Sequence, residues 1–253
     1  MDPQIEKCLK SLHSRYISGY FSEDLDDAAE KVLELIPIGS IVGLGDSSTV
    51  RRLGLLEKLE ENEIKVLNPF KAHDAQIDPA EAYEYTEKTS RAATLCDVFL
   101  AGSNAITQDG RIVNVDAAGN RVSGMFWGHS LSIIVVGRNK IVKDLDDAFH
   151  RIRHVIAPNH TFIKTTGAGG DPPKIPCAKT GECKDCRSPQ RVCNVFTIIE
   201  SKPLRTTINV IIVNEDLGLG WDPSWPESRI RKIIDNHKKY LWVPRFDILK
   251  GKD

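Results

Sequence analysis

Four cysteines that lie close together in the sequence are the residues best suited to chemistry. They follow one another with the spacing C-x5-C-x2-C-x6-C, as Cys177, Cys183, Cys186 and Cys193. Two cysteines separated by two residues can reach one metal ion or one cluster from a single turn, and the outer two close the ligand shell. The spacing therefore predicts a tetracysteine metal site, and the alternative is a set of unmetallated thiols in a flexible surface loop.

The same spacing bears on the identity of the metal. Structural zinc sites usually combine two C-x2-C pairs and this segment has one, whereas iron–sulfur ligation tolerates irregular spacing. A 4Fe–4S cluster is therefore favoured over zinc, which stays the alternative. Four thiolates on either centre leave a net negative charge, which interleaved basic residues could balance while lowering the thiol pKa values. These basic residues are Lys179, Lys184, Arg187 and Arg191.

A glycine-rich turn between a predicted strand and a predicted helix forms a second candidate site. It reads Gly43-Leu-Gly45-Asp-Ser47-Ser48-Thr49. Free backbone N–H groups and the positive end of the helix dipole favour an anion there, such as phosphate or carboxylate. Arg51 and Arg52 would repel the dipole unless an anion lies nearby, which favours an anion site. The alternative is that Ser47 or Ser48 only caps the helix.

Polar residues after a later predicted strand form a third candidate site. Asn104 lies in the turn that follows this strand, and Asn114, Asn120 and Arg121 come further along the chain. Open α/β sheets bind their ligands beyond the carboxyl ends of the strands, so these side chains are expected to line a pocket. Asn120 could instead be the N-cap of a short helix.

Isolated titratable residues are weaker candidates. His129, in a loop, and His73, near Asp74, could act as an acid or a base, although a lone loop histidine more often has no chemical role. Cys8 and Cys96 stand apart from the other cysteines. Buried free cysteine behaves as a small hydrophobe, so Cys8, on the apolar side of a predicted helix, is expected to be a packed thiol.

The elements that would position these residues alternate between strand and helix patterns. Apolar residues at 3.6 spacing predict helices, including one that begins at Asp78-Pro79 and one capped by Asp144. A hairpin is expected at Asp109-Gly110. The alternation predicts an α/β fold with a mostly parallel sheet and helices on both faces. The strands expected in this sheet are 40–45, 64–67, 98–100, 131–136, 195–199 and 208–213.

Two segments differ from this alternation. Residues 1–38 are expected to form an N-terminal extension of two helices that packs on the domain, with Ser22 as the N-cap of the second. Residues 39–253 are expected to form the α/β domain, ending in a helix from near Pro226. Within this domain, residues 165–194 lack apolar periodicity, and a loop of this length needs some device, such as a metal, to hold it.

The composition limits the classes of partner and compartment. The 253 residues carry 34 Lys and Arg against 35 Asp and Glu, a net charge of −1 that gives no electrostatic reason to expect nucleic acid or a membrane surface as partner. The apolar runs are far shorter than the roughly 20 residues that cross a bilayer. The N-terminus shows no signal pattern, so we expect a cytoplasmic protein with reduced cysteines. A homo-oligomer is also expected.

Three stretches of the sequence resemble the LUD (lactate-utilisation, DUF162-type) domain family. They are 42–56 (VGLGDSSTVRRLGLL), 97–122 (DVFLAGSNAITQDGRIVNVDAAGNRV) and 135–142 (VVGRNKIV). The resemblance runs from about residue 20 to residue 215 and is most specific from Asn104 to Arg121. The cysteine segment is similar to the family branch with Cys-Ala-Lys-Thr-Gly and Ser-Pro-x-Arg-x-Cys-Asn. The chain does not contain the ferredoxin-like cysteine run of other lactate-utilisation subunits.

The resemblance implies a NagB/RpiA/CoA transferase-like fold, similar to ribose-phosphate isomerase, glucosamine-phosphate deaminase and the CoA transferases. The turn 43–49 would take the place of the sugar-phosphate loop of the isomerases. Asn104 would take the place of the aspartate that moves the proton in those enzymes. Because an amide cannot act as a carboxylate base, a sugar-phosphate isomerase is the least favoured function.

The resulting expectation is a LUD-type protein that binds a small anionic ligand beside a metal centre held by the four clustered cysteines. It would contribute to the oxidation of lactate or a related 2-hydroxy acid, with other lactate-utilisation subunits or an electron carrier as partners. The alternative is a non-catalytic assembly or binding subunit with a structural zinc. No residue is assigned a catalytic role. The residues expected to form the ligand pocket are Gly43, Gly45, Ser47, Ser48, Asn104, Asn114, Asn120 and Arg121.

Overall fold

The computed structural model describes residues 1–71, 78–167 and 174–242, so that His73 and Asp74 lie outside the described residues. The first elements in chain order are α1 (Pro3–Ser14), β1 (Ser18–Ser22), α2 (Leu25–Leu35), β2 (Val42–Leu44), α3 (Ser48–Arg52), α4 (Leu55–Glu61), β3 (Val66–Leu67), α5 (Pro79–Ala93), β4 (Val98–Gly102), β5 (Ala105–Thr107), β6 (Ile112–Asp116) and α6 (Asn120–Gly124). The later elements are β7 (Leu131–Gly137), β8 (Ile141–Val142), α7 (Leu145–His150), a π-helical segment (Arg151–Ile156), α8 (Ala157–Gly167), α9 (Pro176–Thr180), β9 (Val195–Ile199), β10 (Thr207–Val213) and α10 (Glu227–Tyr240).

The main sheet has six strands in the order β1-β10-β7-β4-β2-β3, and every neighbouring pair is parallel. Its central strands are buried on both faces, as in a sheet covered by helices. In β4, Val98 and Leu100 pack with α2, α3 and α4, whereas Phe99 and Ala101 pack on the other face with α1 and α5. These contacts confirm the predicted α/β fold with a mostly parallel sheet.

A smaller second sheet has the strand order β8-β5-β6-β9. β5 and β6 form the antiparallel hairpin expected at Asp109-Gly110, where Gly110 has a φ of 87°. The prediction that residues 195–199 join the main sheet is wrong, because β9 pairs antiparallel with β6. The position beside β10 in the main sheet is already taken by β1, a strand that the sequence analysis did not predict.

The N-terminal segment differs from the predicted pair of helices. α1 and α2 are present, but residues 18–22 between them form β1, which pairs with β10 at the edge of the main sheet. Ser22 therefore ends a strand and is not an N-cap. The cap of α2 is Asp24, whose carboxylate accepts a hydrogen bond from the backbone N–H of Asp27 at 2.9 Å. A carboxylate there also favours the positive end of the helix dipole.

Several helices are shorter or longer than their sequence patterns indicate. The single helix expected after the glycine turn is divided into α3 and α4 at Gly54, which has a φ of 62°. The helix capped by Asp144 continues through the π-helical segment and α8 to Gly167, and α9 forms inside the segment 165–194 that was expected to be a loop. None of the described helices is both long enough and apolar enough to cross a membrane.

Candidate functional site

The carboxyl ends of four neighbouring strands face one cavity of about 960 Å³. Beyond these ends, 46–49 follow β2, Ser103 and Asn104 follow β4, Lys140 follows β7, and Gly218 follows β10. Residues of α5, α8 and α10, the segment from the end of β6 into α6, and the segment before β9 form the remaining walls. Because the strands are parallel, their carboxyl ends meet at one edge of the sheet, where open α/β folds bind ligands.

The cavity is lined by some of the residues that the sequence analysis proposed as ligand contacts. Among the described residues that line it are Ser47, Ser48, Asn104, Asn120 and Arg121. The other three proposed residues pack close by without lining it. These three residues are Gly43, Gly45 and Asn114.

Gly43 and Gly45 allow close packing around β2. A Cβ atom on Gly43 would lie 2.2 Å from the backbone oxygen of Ala93 in α5. A Cβ atom on Gly45 would lie 2.8 Å from Cγ of Arg121. Both distances are shorter than real Cβ contacts, so the two glycines let α5 and Arg121 approach the strand.

The two serines of the glycine turn have different partners. Ser47 Oγ accepts a hydrogen bond from the backbone N–H of Val50 at 3.3 Å, so Ser47 is the N-cap of α3. Ser48 Oγ is joined by a hydrogen bond to His237 Nδ1 at 3.1 Å. The capping role considered for Ser47 is therefore observed, and Ser48 is directed to a histidine of the carboxyl-terminal helix α10.

The third candidate site is a buried network of hydrogen bonds around Arg121. Its guanidinium group donates to Asn114 Oδ1 at 2.9 Å, to Asn104 Oδ1 at 3.1 Å and to the backbone oxygen of Val115 at 2.7 Å. Asn114 Oδ1 also accepts the backbone N–H of Asn104 at 3.0 Å. These contacts join the end of β4 to β6 and α6, so the network supports the wall of the cavity.

The first N–H groups of α6 are bonded by a residue that lies several positions before the helix. Asp116 accepts hydrogen bonds from the backbone N–H groups of Arg121 at 3.1 Å and Val122 at 3.2 Å. Asn120 is the first residue of the helix, and Gly119, with a φ of 95°, precedes it. Asn120 is therefore not the N-cap that the sequence allowed: Gly119 is at that position, and the carboxylate of Asp116 accepts the N–H groups that an N-cap side chain would bond.

The structure adds an ion pair that sequence reasoning missed. Lys164 Nζ in α8 lies 2.9 Å from Asp46 Oδ2, and both residues line the cavity. Burial acts to raise the pKa of the Asp46 carboxyl, but the charge and hydrogen bond of Lys164, with the charge of Arg121, outweigh it, and the pKa is lowered. The aspartate is therefore ionised near neutral pH, and it pairs with the lysine.

Two histidines that line the cavity were also missed. His160 Nδ1 in α8 and His237 Nε2 in α10 are 3.3 Å apart, and the second histidine also contacts Ser48. Burial, together with nearby positive charges such as that of Lys164, lowers the pKa of His160 to about 3 and that of His237 to about 4. Both imidazoles are therefore neutral at pH 7.

Lys140 is a third missed residue and has unusual surroundings. Its side chain lines the cavity although the residue is only 6% exposed, and its Nζ lies 3.3 Å from Thr49 Oγ1. Burial, and next the charges of Arg151 and Arg121, lower its pKa to about 7. Its place after a strand end was a usable sequence signal, whereas His160, Lys164 and His237 lie within helices, where no such signal exists.

The four clustered cysteines lie near one another, and one of them, Cys193, lines the cavity. Burial, and then the charges of Cys186, Cys183 and Cys193, raise the pKa of the Cys177 thiol. The guanidinium group of Arg191 donates to the backbone oxygens of Cys186 at 2.7 Å and Cys193 at 3.0 Å. The donor set is soft and concentrated, as thiolate-bound metals require.

The arrangement of these thiols does not form a single-ion site. Throughout the part of the chain that the structure describes, no group of three or more His, Cys, Asp or Glu side chains is placed to hold one metal ion. A zinc site needs all its thiolates about 2.3 Å from one point. In a 4Fe–4S cluster each cysteine binds a different iron, so the sulfur atoms stand further apart.

Two isolated candidates lie away from the cavity. Cys8 lies on the buried face of α1, and burial raises its pKa to about 12, which confirms that it is a packed thiol. His129 stacks on Phe99 with ring centroids 5.5 Å apart, and burial lowers its pKa. It is not among the described residues that line the cavity.

Of the comparisons with known proteins, the family model agrees with the sequence resemblance. A search of curated proteins finds no match for this chain. The chain is similar to the crystal structure of a DUF162 family protein from Deinococcus radiodurans, with 12% sequence identity, a TM-score of 0.42, and coverage of 83% of this chain and 94% of that one. The family model for the LUD domain matches residues 5–213. This chain therefore belongs to the LUD domain family, which is associated with lactate utilisation.

Proposed function

We propose that this LUD-family protein binds a small carboxylate anion, of the 2-hydroxy acid class to which lactate belongs, in the cavity at the strand ends. The proposal rests on the charges of the cavity wall, where the described residues include one more cation than acidic partners. Three cations of the described cavity wall have acidic partners: Arg91 with Glu87 at 3.5 Å, Arg121 with Asp116 at 3.4 Å, and Lys164 with Asp46 at 2.9 Å.

Lys140 is the fourth cation of the described cavity wall, and it belongs to none of these three ion pairs. Its one hydrogen-bond partner among the described side chains is the hydroxyl of Thr49. A buried ammonium group without a counter-ion is costly, and a bound anion would lower that cost. Hydroxyl groups that line the same cavity, such as those of Ser48 and Thr161, would orient the hydroxyl of a 2-hydroxy acid. A 2-hydroxy acid bound at Lys140 would supply a carboxylate as counter-ion to the ammonium group and a hydroxyl to the hydroxyl groups of the wall.

Calorimetric titration tests this proposal directly. L-Lactate should bind to the full chain, and inorganic phosphate in a parallel titration tests whether the cavity prefers a carboxylate. Lys140→Met should weaken L-lactate binding about tenfold or more, because a charged hydrogen bond is lost. Lys143→Met is the matched control, since this lysine is three residues away and 78% exposed. Equal affinity of Lys140→Met and the unchanged protein would contradict the proposal.

We propose in addition that Cys177, Cys183, Cys186 and Cys193 bind a metal centre, with a 4Fe–4S cluster favoured over zinc. Two features support it: the cysteine spacing, and the closeness of the four thiols, since the charges of the other three act on Cys177. A cluster bound there would transfer electrons one at a time beside the ligand cavity, in two successive steps for the two-electron oxidation of a 2-hydroxy acid. Partner subunits or an electron carrier would then complete the reaction.

Metal analysis distinguishes a 4Fe–4S cluster from a structural zinc ion at the four cysteines. Protein purified without oxygen should contain iron and inorganic sulfide and absorb broadly in the visible range. Cys183→Ser/Cys186→Ser should lose the iron, whereas Cys8→Ala, outside the cluster of cysteines, should retain it. Colourless protein with a zinc ion in each chain would contradict electron transfer and would favour a non-catalytic assembly subunit whose zinc orders the loop.

A further inference from the structure

We propose that Lys140 is a nucleophile that captures 2-oxo acids as an imine. The inference rests on the proposed function, because a 2-oxo acid is the carbonyl counterpart of the 2-hydroxy acid that the cavity is proposed to bind. It assigns to one side chain a covalent reaction that simple anion binding does not require.

The surroundings of the amine leave room for a carbonyl compound. Lys140 Nζ lies at the cavity and contacts the Thr49 hydroxyl at 3.3 Å. A Cβ atom on Gly218 would lie 2.9 Å from this nitrogen, and one on Gly102 would lie 3.7 Å from it. A side chain at position 218 would therefore crowd the amine, whereas the distance from Gly102 is an ordinary contact. Thr49, Gly102 and Gly218 all line the cavity together with Lys140, so the amine lies at the cavity wall.

Burial, and next the charges of Arg151 and Arg121, favour the neutral, nucleophilic form of the amine. Arg121 and Arg151 are the cations that act on it, and no carboxylate of the described residues forms an ion pair with it. Its pKa of about 7 leaves about half of the amine neutral at pH 7, roughly a thousandfold more than for an ordinary lysine. His237 faces the same region and is neutral at this pH. Desolvation and neighbouring cations are established ways to activate a lysine nucleophile.

The reaction balances without an oxidant or a further substrate. The lone pair of Nζ attacks the 2-oxo carbon, and a C–N bond forms. The carbonyl oxygen takes up protons, one from the nitrogen and one from solvent, and leaves as water when the C–O bond breaks. The product is a protonated imine on Lys140. A 2-hydroxy acid has no carbonyl group at that carbon, so it can bind to the ammonium form but cannot react.

The other lysine of the cavity provides a comparison within the same site. Lys164 forms an ion pair with Asp46 at 2.9 Å, and this carboxylate stabilises its charged form. Lys140 lacks such a partner among the described residues. Selective reaction at Lys140 would therefore reflect its environment and not merely its access to the cavity.

Reductive trapping tests the inference. The full chain is incubated with pyruvate and cyanoborohydride near pH 7, and the adduct is located by peptide mass mapping. Lys140 should be labelled at least about tenfold more than any other lysine. The variant Lys140→Arg has no nucleophilic amine, so it should form no selective adduct, whereas Lys143→Met, whose altered side chain is 78% exposed, should still form the adduct on Lys140.

The outcomes separate this inference from the proposed function. If pyruvate binds in calorimetry but no adduct forms on Lys140, the inference is wrong and anion binding stands. If labelling is spread evenly over the lysines of the unchanged protein, the inference is also wrong. If neither L-lactate nor pyruvate binds, the proposed function fails and this inference fails with it. The adduct in the unchanged protein decides the matter even if Lys140→Arg does not fold.

Discussion

Arg121 shows how a single residue proposed as a ligand contact can serve mainly the fold. Its guanidinium group donates to oxygens of Asn104, Asn114 and Val115, and these bonds are largely shielded from water. Removal of the donor would leave several buried acceptors unsatisfied. Arg121→Met should therefore lower the free energy of unfolding by about 3 kcal/mol, as measured by urea denaturation.

The control for this prediction is a cation of the same cavity that lies at its surface. The side chain of Arg91 is 83% exposed and pairs with Glu87 on the same helix. Arg91→Met should change the free energy of unfolding by no more than about 0.5 kcal/mol. A loss of less than about 1 kcal/mol for Arg121→Met would mean that water replaces the missing donor.

The two buried histidines predict a specific dependence of stability on pH. The folded-state pKa values, about 3 for His160 and about 4 for His237, lie below the value near 6.5 of an unfolded chain. Below pH 6.5 the unfolded state therefore binds more protons, and stability falls as the pH decreases. Urea denaturation at about pH 7.5 and pH 5 should show a loss of about 4 kcal/mol from this pair.

A substitution identifies the source of the loss. His237→Gln should reduce it to about 2 kcal/mol, because one of the two titrating groups is gone. His13→Gln, on the exposed face of α1, is the control and should leave the loss unchanged. If the loss in His237→Gln equals that in the unchanged protein, other groups cause the acid sensitivity.

At the scale of elements, the hairpin of β5 and β6 is fixed by its contact with α1. Gly110 has a φ of 87°, and a Cβ atom there would lie 2.7 Å from the backbone carbon of Ser11. Gly39 also has a positive φ, 79°, but nothing lies within 4 Å of its Cβ position. Gly110→Ala should therefore cost about 2 kcal/mol more than Gly39→Ala in thermal or urea unfolding. Equal costs would show that α1 moves aside.

Elements with a strong local sequence pattern were predictable, whereas strands whose position depends on tertiary contacts with other strands were not. The hairpin at Asp109-Gly110, the helix start at Asp78 and the buried run of β7 follow from turn chemistry, capping and hydrophobicity. β1 is a short edge strand between two helices, and its five residues carry little periodicity. β9 is placed by the available partner, because β1 already occupies the edge beside β10. Such competition for position is decided by tertiary packing.

At the scale of the whole molecule, the cavity combines residues that are far apart in the chain. Strand ends could be identified from the sequence, so Ser47, Ser48 and Asn104 were found. His160 and His237 come from the faces of two helices, and only the packing of α8 and α10 brings them together. His237 also lies beyond residues 5–213, which the LUD family model covers. The family resemblance therefore could not indicate this part of the wall.

The cysteine segment and the two main hydrophobic clusters should respond separately to mutation. None of the four clustered cysteines belongs to the described clusters on either face of the main sheet, and Cys183 and Cys186 are partly exposed. Cys183→Ser/Cys186→Ser should therefore change the free energy of unfolding of the sheets by less than about 1 kcal/mol, while limited proteolysis within 177–193 becomes faster. The comparison variant is Cys96→Ser, which places a hydroxyl in the core and should cost more. Loss of the whole fold in the double variant would mean that the segment and the sheets form one cooperative unit, and that the order of the loop is required for the cavity to exist.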